Sequence, residues 1–255
     1  AGRDTFGISY QPDILLARAQ KLPVVAVCAI VPRPLQGIMS LTSAGITRPS
    51  DLRGKTVGYP GIPSQEAFLT TMLATDGARM EEITLNNVEF NLLPTLISGQ
   101  AAAVMGAFWT HETIVAEQEG YPVSIMKVED WGVPLYDELV LVTSEETLAT
   151  RADMVASALG AIRAGYLAAA ADQSQAIDML STAYPETDRA VEEQGIALLA
   201  PLWTEADPGF GIMRPDDWAR FADWMMEHQL LPAGFELAGT IGANQPTSSP
   251  ATPTA

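Results

Sequence analysis

The chain has 255 residues, 47% of them apolar, enough to bury a sizeable core as one large domain or two lobes. Its 14 Lys and Arg residues against 31 Asp and Glu residues give a formal net charge of −17, which argues against binding nucleic acid or an anionic membrane surface. The chain has one cysteine, Cys28, which excludes an intrachain disulfide and a cysteine-based zinc site. It has two histidines, His111 and His228, which excludes a three-histidine metal site.

No run of about 18 apolar residues occurs, so the sequence predicts no transmembrane segment. No signal peptide opens the chain either. The sequence begins at Ala1 rather than Met, and we therefore expect a fragment or a processed form. The missing signal then says nothing about the compartment.

Short β-type runs alternate with helical spacing through the first half of the chain. Helical spacing at Pro12–Lys21 is followed by the apolar run Pro23–Val31, which is typical of a strand buried on both faces, as in parallel α/β sheets. Ser64 is the predicted N-cap of a helix that ends near Asp76. The other predicted strands are Thr5–Tyr10, Thr56–Tyr59, Ile83–Phe90, Ala102–Phe108, Tyr121–Val128 and Glu138–Thr143. Short helices are predicted at Asn91–Ser98 and Thr110–Glu119.

Helices dominate from Asp153 onward. They are predicted at 153–171, 173–183, 186–202 and 215–229, with Pro215 at a first helical position. The stretch 239–255 is rich in Thr, Ser, Pro, Ala and Gly without apolar periodicity, and it is predicted to be a disordered tail.

Catalytic motifs are scarce. The sequence contains no G-x-S-x-G elbow, no phosphate-binding P-loop and no G-x-G-x-x-G fingerprint. This inventory favours a binding protein over an enzyme, with neither a cofactor nor a metal.

The loop that follows the strand Thr56–Tyr59 is one candidate ligand site. It lies at the carboxyl end of a strand, where ligands bind in open α/β sheets, and a glycine there lets the backbone approach a ligand closely. A plain tight turn is the alternative. The candidate residues are Pro60, Gly61, Ile62 and Ser64.

Polar and aromatic residues follow two other predicted strands. Trp109, His111 and Glu112 follow one, and Tyr10 and Asp13 occupy the same edge of the first βα unit. An exposed Trp beside a carboxylate suits a flat, nitrogen-rich ring, which stacks on the indole and donates N–H groups to the carboxylate. The alternative is a core role for Trp109 and a helix-dipole role for Glu112.

Four stretches, 7–31, 45–73, 92–120 and 132–146, resemble the solute-binding proteins of ABC importers for thiamine pyrimidine precursors. Gly-Tyr-Pro-Gly-Ile-Pro at 58–63 and Trp-Thr-His-Glu at 109–112 are the most distinctive parts. This family shares a superfamily with fungal pyrimidine-precursor synthases. Similar importers carry sulfonates, riboflavin or other small rings.

The resemblance implies an α/β, periplasmic-binding-protein-like fold (type II-like) of two lobes joined by a hinge. Lobe one would be 1–38 with 140–235, lobe two 41–137, and the hinge crossings would lie near 33–41 and 134–141. Family chains begin one βαβ stretch earlier, so we expect lobe one to be incomplete. The resemblance adds two ligand-site candidates from the stretch 132–146, Tyr136 and Glu138.

The resemblance further implies a monomeric, extracytoplasmic protein, periplasmic or membrane-anchored, with a signal or lipoprotein peptide before this sequence. It would capture an aminopyrimidine or similar heteroaromatic and deliver it to a permease with its ATPase. One alternative is a synthase-like enzyme, which needs a Cys-rich iron-handling run that Cys28 alone does not provide. Another is a binding protein for a sulfonate or riboflavin.

Overall fold

Strands and helices mostly alternate as far as Thr150, and helices dominate the described residues after it. The computed structural model describes residues 4–204 and 209–242. Its strands are β1 (Gly7–Ser9), β2 (Val24–Val31), β3 (Gln36–Leu41), β4 (Thr56–Tyr59), β5 (Thr84–Asn87), β6 (Ala103–Phe108), β7 (Val123–Lys127) and β8 (Leu139–Ser144). Its helices are α1 (Gln11–Ala19), α2 (Pro63–Thr75), α3 (Leu92–Ile97), α4 (Glu112–Gln118), α5 (Glu145–Thr150), α6 (Ala152–Ala171), α7 (Gln173–Ala183), α8 (Arg189–Thr204) and α9 (Pro215–Glu227).

The chain divides into two units. Unit 1 is Ala1–Arg33, Tyr136–Asp172 and Ala200–Ala255, and unit 2 is Pro34–Leu135 and Gln173–Leu199. The divisions after Arg33 and Leu135 fall within the stretches where the sequence placed its hinge crossings. Residues 173–199, which the sequence assigned to lobe one, group with unit 2. Residues of α8 and α4 line one groove in this unit.

Unit 1 contains a three-stranded sheet in the order β1–β8–β2, and both strand pairs are antiparallel. Strand β2 is buried along nearly its whole length, as its Val- and Ile-rich run predicts. The parallel pairing that this run suggested is wrong, since burial on both faces does not determine strand direction. Leu15 of α1 and Trp218 and Phe221 of α9 are fully buried in the core of this unit.

Unit 2 contains a five-stranded mixed sheet in the order β5–β4–β6–β3–β7. Strand β4 runs parallel to β5 and β6, whereas β3 runs antiparallel to β6 and β7. Phe68, Leu69, Met72 and Leu73 of α2 are fully buried, which fixes this helix in the core. The parallel strands bring three carboxyl ends to one edge of the sheet.

Helix α6 is apolar, yet most of its length lies outside the core. Its buried residues are Val155 and Leu159, and its most apolar stretch has a mean hydropathy of 1.4 with 11% of that stretch buried. By length and composition, α6 is the one helix in the described residues that could cross a membrane. One such helix does not establish a membrane span, because core helices and signal sequences of other proteins can be equally long and apolar. The expected absence of a spanning segment stays a prediction.

The start of the predicted disordered tail is instead attached to β2. Ile241 forms a parallel bridge with Ala26, whose carbonyl accepts a hydrogen bond of 2.8 Å from the backbone N–H of Gly242. Thr240 is fully buried. The expectation of disorder is therefore wrong for 239–242, because pairing with a strand edge needs only backbone groups. Residues 243–255 lie outside the described residues.

Candidate functional site

The carboxyl ends of β4, β5 and β6 lie at one edge of the unit 2 sheet, because the three strands are parallel. Their last residues are Tyr59, Asn87 and Phe108. Ligands of open α/β sheets bind at this kind of edge. In unit 2, this edge carries both segments that the sequence predicted as ligand-site candidates there: the loop after Tyr59 and the residues after Phe108.

The loop after β4 has a backbone conformation at position 61 that favours glycine. Gly61 has φ +82°, and a Cβ there would lie 2.4 Å from Nδ2 of Asn87. The predicted residues Pro60 and Ile62 flank it, and all three are partly buried. The loop is thus held closely against the end of β5.

Helix α2 begins two residues earlier than predicted, with Ile62 as its N-cap and Pro63 as its first residue. Proline suits a first helical position, and the carbonyl of Ile62 accepts hydrogen bonds from the N–H groups of Gln65 and Glu66. Ser64 is therefore a buried residue of the first turn and not the N-cap.

A buried pair of amides lies next to this loop, and the sequence did not predict it. Nε2 of Gln65 donates a hydrogen bond of 2.9 Å to Oε1 of Gln36. Gly106 makes room for them, because it has φ +97° and a Cβ there would lie 2.7 Å from Gln65 Nε2. A glycine inside a strand pattern indicates a bulge or a close approach, and Gly106 was the signal available in the sequence.

Trp109 is less exposed than the sequence suggested. Its ring is half-buried, and its Nε1–H donates a hydrogen bond of 3.2 Å to the carbonyl of Pro34. The ammonium group of Lys127 lies 4.0 Å from the centre of the ring, a cation–π contact. Trp109 therefore already has a polar partner at its edge and a cation over one face.

Glu112 and His111 follow Trp109 but point to different surroundings. Oε2 of Glu112 accepts a hydrogen bond of 2.7 Å from the backbone N–H of Phe108. His111 is exposed at the N-cap of α4 and lines a groove of about 340 Å³. Asp188 and Glu192 of unit 2 line the same groove.

In unit 1, polar residues at the start of α1 meet the segment 136–138. The hydroxyl of Tyr136 donates to Oε2 of Glu138 at 2.9 Å, so the structure brings these two predicted residues together. The backbone N–H of Asp137 donates to Oε1 of Gln11 at 2.7 Å. Tyr10, the N-cap of α1, is 39% exposed and precedes the buried Gln11.

Asp137 and Glu138 place two consecutive carboxylates in the interior of unit 1. Glu138 is fully buried, and Asp137 accepts a hydrogen bond of 2.8 Å from Nε1–H of Trp218. Burial raises the pKa of Asp137 to about 7, and the charge of Asp217 acts in the same direction, while the Trp218 bond opposes it. Sequence reasoning missed Gln11 and Asp137, although each adjoins a predicted residue.

Asp13 lies apart from these carboxylates. It is exposed on α1 and lines an open groove of about 840 Å³ with Ser9 and Arg151. Its carboxylate is thus placed in a different part of unit 1 from Tyr136 and Glu138.

The described residues contain no cluster of three or more His, Cys, Asp or Glu side chains that could hold a metal ion. What they offer is hydrogen-bond acceptors and aromatic rings. Such groups recognise a small ring that carries N–H donors.

Residues 1–176 match the family model described as NMT1/THI5 like. The chain belongs to the NMT1/THI5-like family. It is 35% identical over 235 residues to the formylaminopyrimidine-binding protein of Halalkalibacterium halodurans, covering 91% of this chain and 71% of that protein. It is 21% identical over 254 residues to the 4-amino-5-hydroxymethyl-2-methylpyrimidine phosphate synthase of Schizosaccharomyces pombe, covering 95% of this chain and 71% of the synthase.

Solved structures agree on the fold. The periplasmic aliphatic sulphonate-binding protein SsuA of Escherichia coli superimposes with a TM-score of 0.74 at 15% identity, over 100% of this chain and 80% of that chain. The expected periplasmic-binding-protein-like α/β fold and the expected family are both confirmed. At this level of identity the structural likeness concerns the fold alone.

Proposed function

We propose that this chain is the solute-binding component of an ABC importer and that it captures a small aminopyrimidine of the thiamine-precursor type, or a similar heteroaromatic. The 35% identity to a formylaminopyrimidine-binding protein over 91% of the chain supports this role. The chain would act outside the cytoplasm, with a permease and an ATPase, and would release its ligand chemically unchanged.

The observation that carries the ligand class is the buried pair of carboxylates, Asp137 and Glu138. Trp218 and Tyr136 each donate a hydrogen bond to one of these carboxyl groups, and a carboxyl group can accept further bonds from ligand N–H groups. A sulfonate or phosphate ester would bring its negative charge next to these two acidic groups and is disfavoured. A neutral or protonated aminopyrimidine is therefore the better match.

We propose recognition residues for each unit taken by itself. In unit 1, Glu138 accepts N–H groups of the ligand, while Tyr136 fixes the carboxylate through its 2.9 Å hydrogen bond and Tyr10 offers a partly exposed ring. In unit 2 the proposed residues are Pro60, Gly61, Ile62, Ser64, Trp109 and Glu112. Asp13 and His111 line other grooves, so we assign them no contact with the ligand.

The second candidate is catalysis, which the 21% identity to a pyrimidine phosphate synthase favours. Cys28 gives it little support, because burial, with the charge of Asp137, raises the pKa of this thiol to about 12. A thiol that stays protonated at neutral pH is a poor nucleophile and metal ligand. We therefore propose binding without turnover.

Titration calorimetry on the full chain tests the proposal. The probes are 4-amino-5-hydroxymethyl-2-methylpyrimidine, a formylaminopyrimidine, riboflavin and ethanesulfonate. We expect the two pyrimidines to bind most tightly, and Glu138→Gln to weaken them by about 1.5–3 kcal/mol because a charged acceptor becomes neutral. Glu146→Gln, at an exposed position of unit 1, is the matched control. Preferred binding of ethanesulfonate would contradict the proposed ligand class.

A further inference from the structure

The most exposed large apolar side chain in the described residues is Phe90, which is 81% exposed. Phenylalanine is usually buried, and the apolar residues that follow it, Leu92 and Leu93, lie in the core of unit 2. The sequence pattern predicts Phe90 as the last residue of the strand Ile83–Phe90.

A turn with a left-handed residue precedes Phe90. Strand β5 ends at Asn87, three residues earlier than predicted, and Glu89 has φ +53°, a left-handed conformation that disfavours side chains with a Cβ. Oδ1 of Asn87 holds this turn by accepting a hydrogen bond of 3.0 Å from the N–H of Glu89. Strained conformations of this kind concentrate at functional sites.

This turn lies at the sheet edge that carries the candidate loop. The backbone N–H of Val88 donates a hydrogen bond of 2.9 Å to the carbonyl of Tyr59, the last residue of β4. The side chain of Asn87 also lies against Gly61, where a Cβ would come within 2.4 Å of Nδ2. The turn that ends at Phe90 therefore adjoins the loop Pro60–Ser64 within unit 2.

Trp109 and Phe90 differ in what their rings already contact. The Trp109 ring is half-buried, has Lys127 4.0 Å from its centre and donates its N–H to a carbonyl. The Phe90 ring is largely in solvent. Exposing an apolar ring gives up the free energy of burial, so the exposed ring is better explained by a partner that covers it.

We infer that Phe90 is the aromatic platform of unit 2 on which the ring of a heteroaromatic ligand stacks. The inference rests on the proposed function and narrows it, since it requires a flat ring and not merely a small polar solute. Offset stacking of a pyrimidine on a benzene ring is favourable and tolerates different ring substituents. Phe90 is thus a specificity-determining contact that selects rings over aliphatic solutes.

Calorimetry on the full chain tests this with the variants Phe90→Ala, Phe90→Leu and Phe90→Trp. The probes are 4-amino-5-hydroxymethyl-2-methylpyrimidine and a formylaminopyrimidine. Loss of one stacking partner weakens binding by about 5-fold to 150-fold, so we expect that range for Ala. We expect a smaller loss for Leu and wild-type affinity for Trp. Tyr184→Ala removes another exposed aromatic ring of unit 2, and this control should bind normally.

The outcomes separate the inference from the proposed function. If the wild-type chain binds the pyrimidines and Phe90→Ala binds them equally well, the platform role is overturned and the proposed function stands. A Phe90→Ala chain that loses affinity and also melts well below the wild type would overturn it too, because the ring would then be structural. If the wild-type chain binds neither pyrimidine, both ideas fail.

Discussion

The indole N–H of Trp218 donates a hydrogen bond of 2.8 Å to the carboxylate of Asp137, and both side chains are buried. This bond connects α9 to the segment that carries Tyr136 and Glu138. The carboxyl of Asp137 has a pKa of about 7 in the folded protein, above its ordinary 3.8, chiefly because of its burial. Unit 1 thus has a buried acid that titrates near neutrality.

The first prediction concerns stability against pH. The pKa of Asp137 is higher in the folded protein than in the unfolded one, so its protonated carboxyl contributes to the free energy of unfolding. This contribution is complete below pH 3.8 and is lost as the pH rises through about 7. Asp137→Asn keeps an acceptor for Trp218 but does not titrate. The unfolding free energy of Asp137→Asn minus that of the wild type should therefore rise by on the order of 4 kcal/mol between pH 3.8 and about 7.

Chemical denaturation at several pH values measures this difference. Asp223→Asn, at an exposed position of the same helix as Trp218, should show no such rise. A difference between Asp137→Asn and the wild type that stays constant with pH would show that the carboxyl does not titrate in this range.

A second prediction separates the two roles of Glu112. Oε2 of this side chain accepts the N–H of Phe108 at 2.7 Å, and Gln retains an acceptor whereas Ala does not. We expect Glu112→Ala to lower the unfolding free energy by about 1 kcal/mol and Glu112→Gln to leave it nearly unchanged. If Glu112 also contacts the ligand, Glu112→Gln should weaken aminopyrimidine binding in calorimetry. Wild-type affinity in Glu112→Gln would leave Glu112 with a structural role only.

Local patterns predicted the secondary structure well where burial alone decides it. The apolar run 23–31 formed the buried strand β2, and the helices predicted at 153–171 and 173–183 match α6 and α7 closely. The direction of β2 could not be predicted, because its partner β8 lies far along the chain. The grouping of 173–199 with unit 2 also depends on distant contacts.

The site was predicted where a motif is local and missed where it depends on packing. Gly61 could be predicted from the sequence of its own loop, and its positive φ is a conformation that favours glycine. Gln11 and Gln65 look like ordinary polar residues of helix starts, and only the folded chain shows that both are buried. The end of β5 before Phe90 depends on the left-handed Glu89, which no sequence preference indicates.

A third prediction tests the amide pair beside the loop. In Gly106→Ala the new Cβ would meet Nε2 of Gln65 at 2.7 Å, in addition to the strain of φ +97°. We expect a loss of unfolding free energy of about 2–4 kcal/mol, from backbone strain plus overpacking. Gly77→Ala is the matched control, since Gly77 has φ +71° but nothing within 4 Å of its Cβ position. Its loss should be about 1–2 kcal/mol, from strain alone. Equal losses in the two variants would show that Gln65 moves aside freely.

Mass spectrometry of the ligand released from natively purified full-length protein tests the central claim most directly. We predict an intact aminopyrimidine or similar small heteroaromatic, recovered unchanged after the protein has been incubated with it at neutral pH. Recovery of a sulfonate, or conversion of the pyrimidine into another compound during incubation, would contradict the account of this chain as an aminopyrimidine-binding importer component.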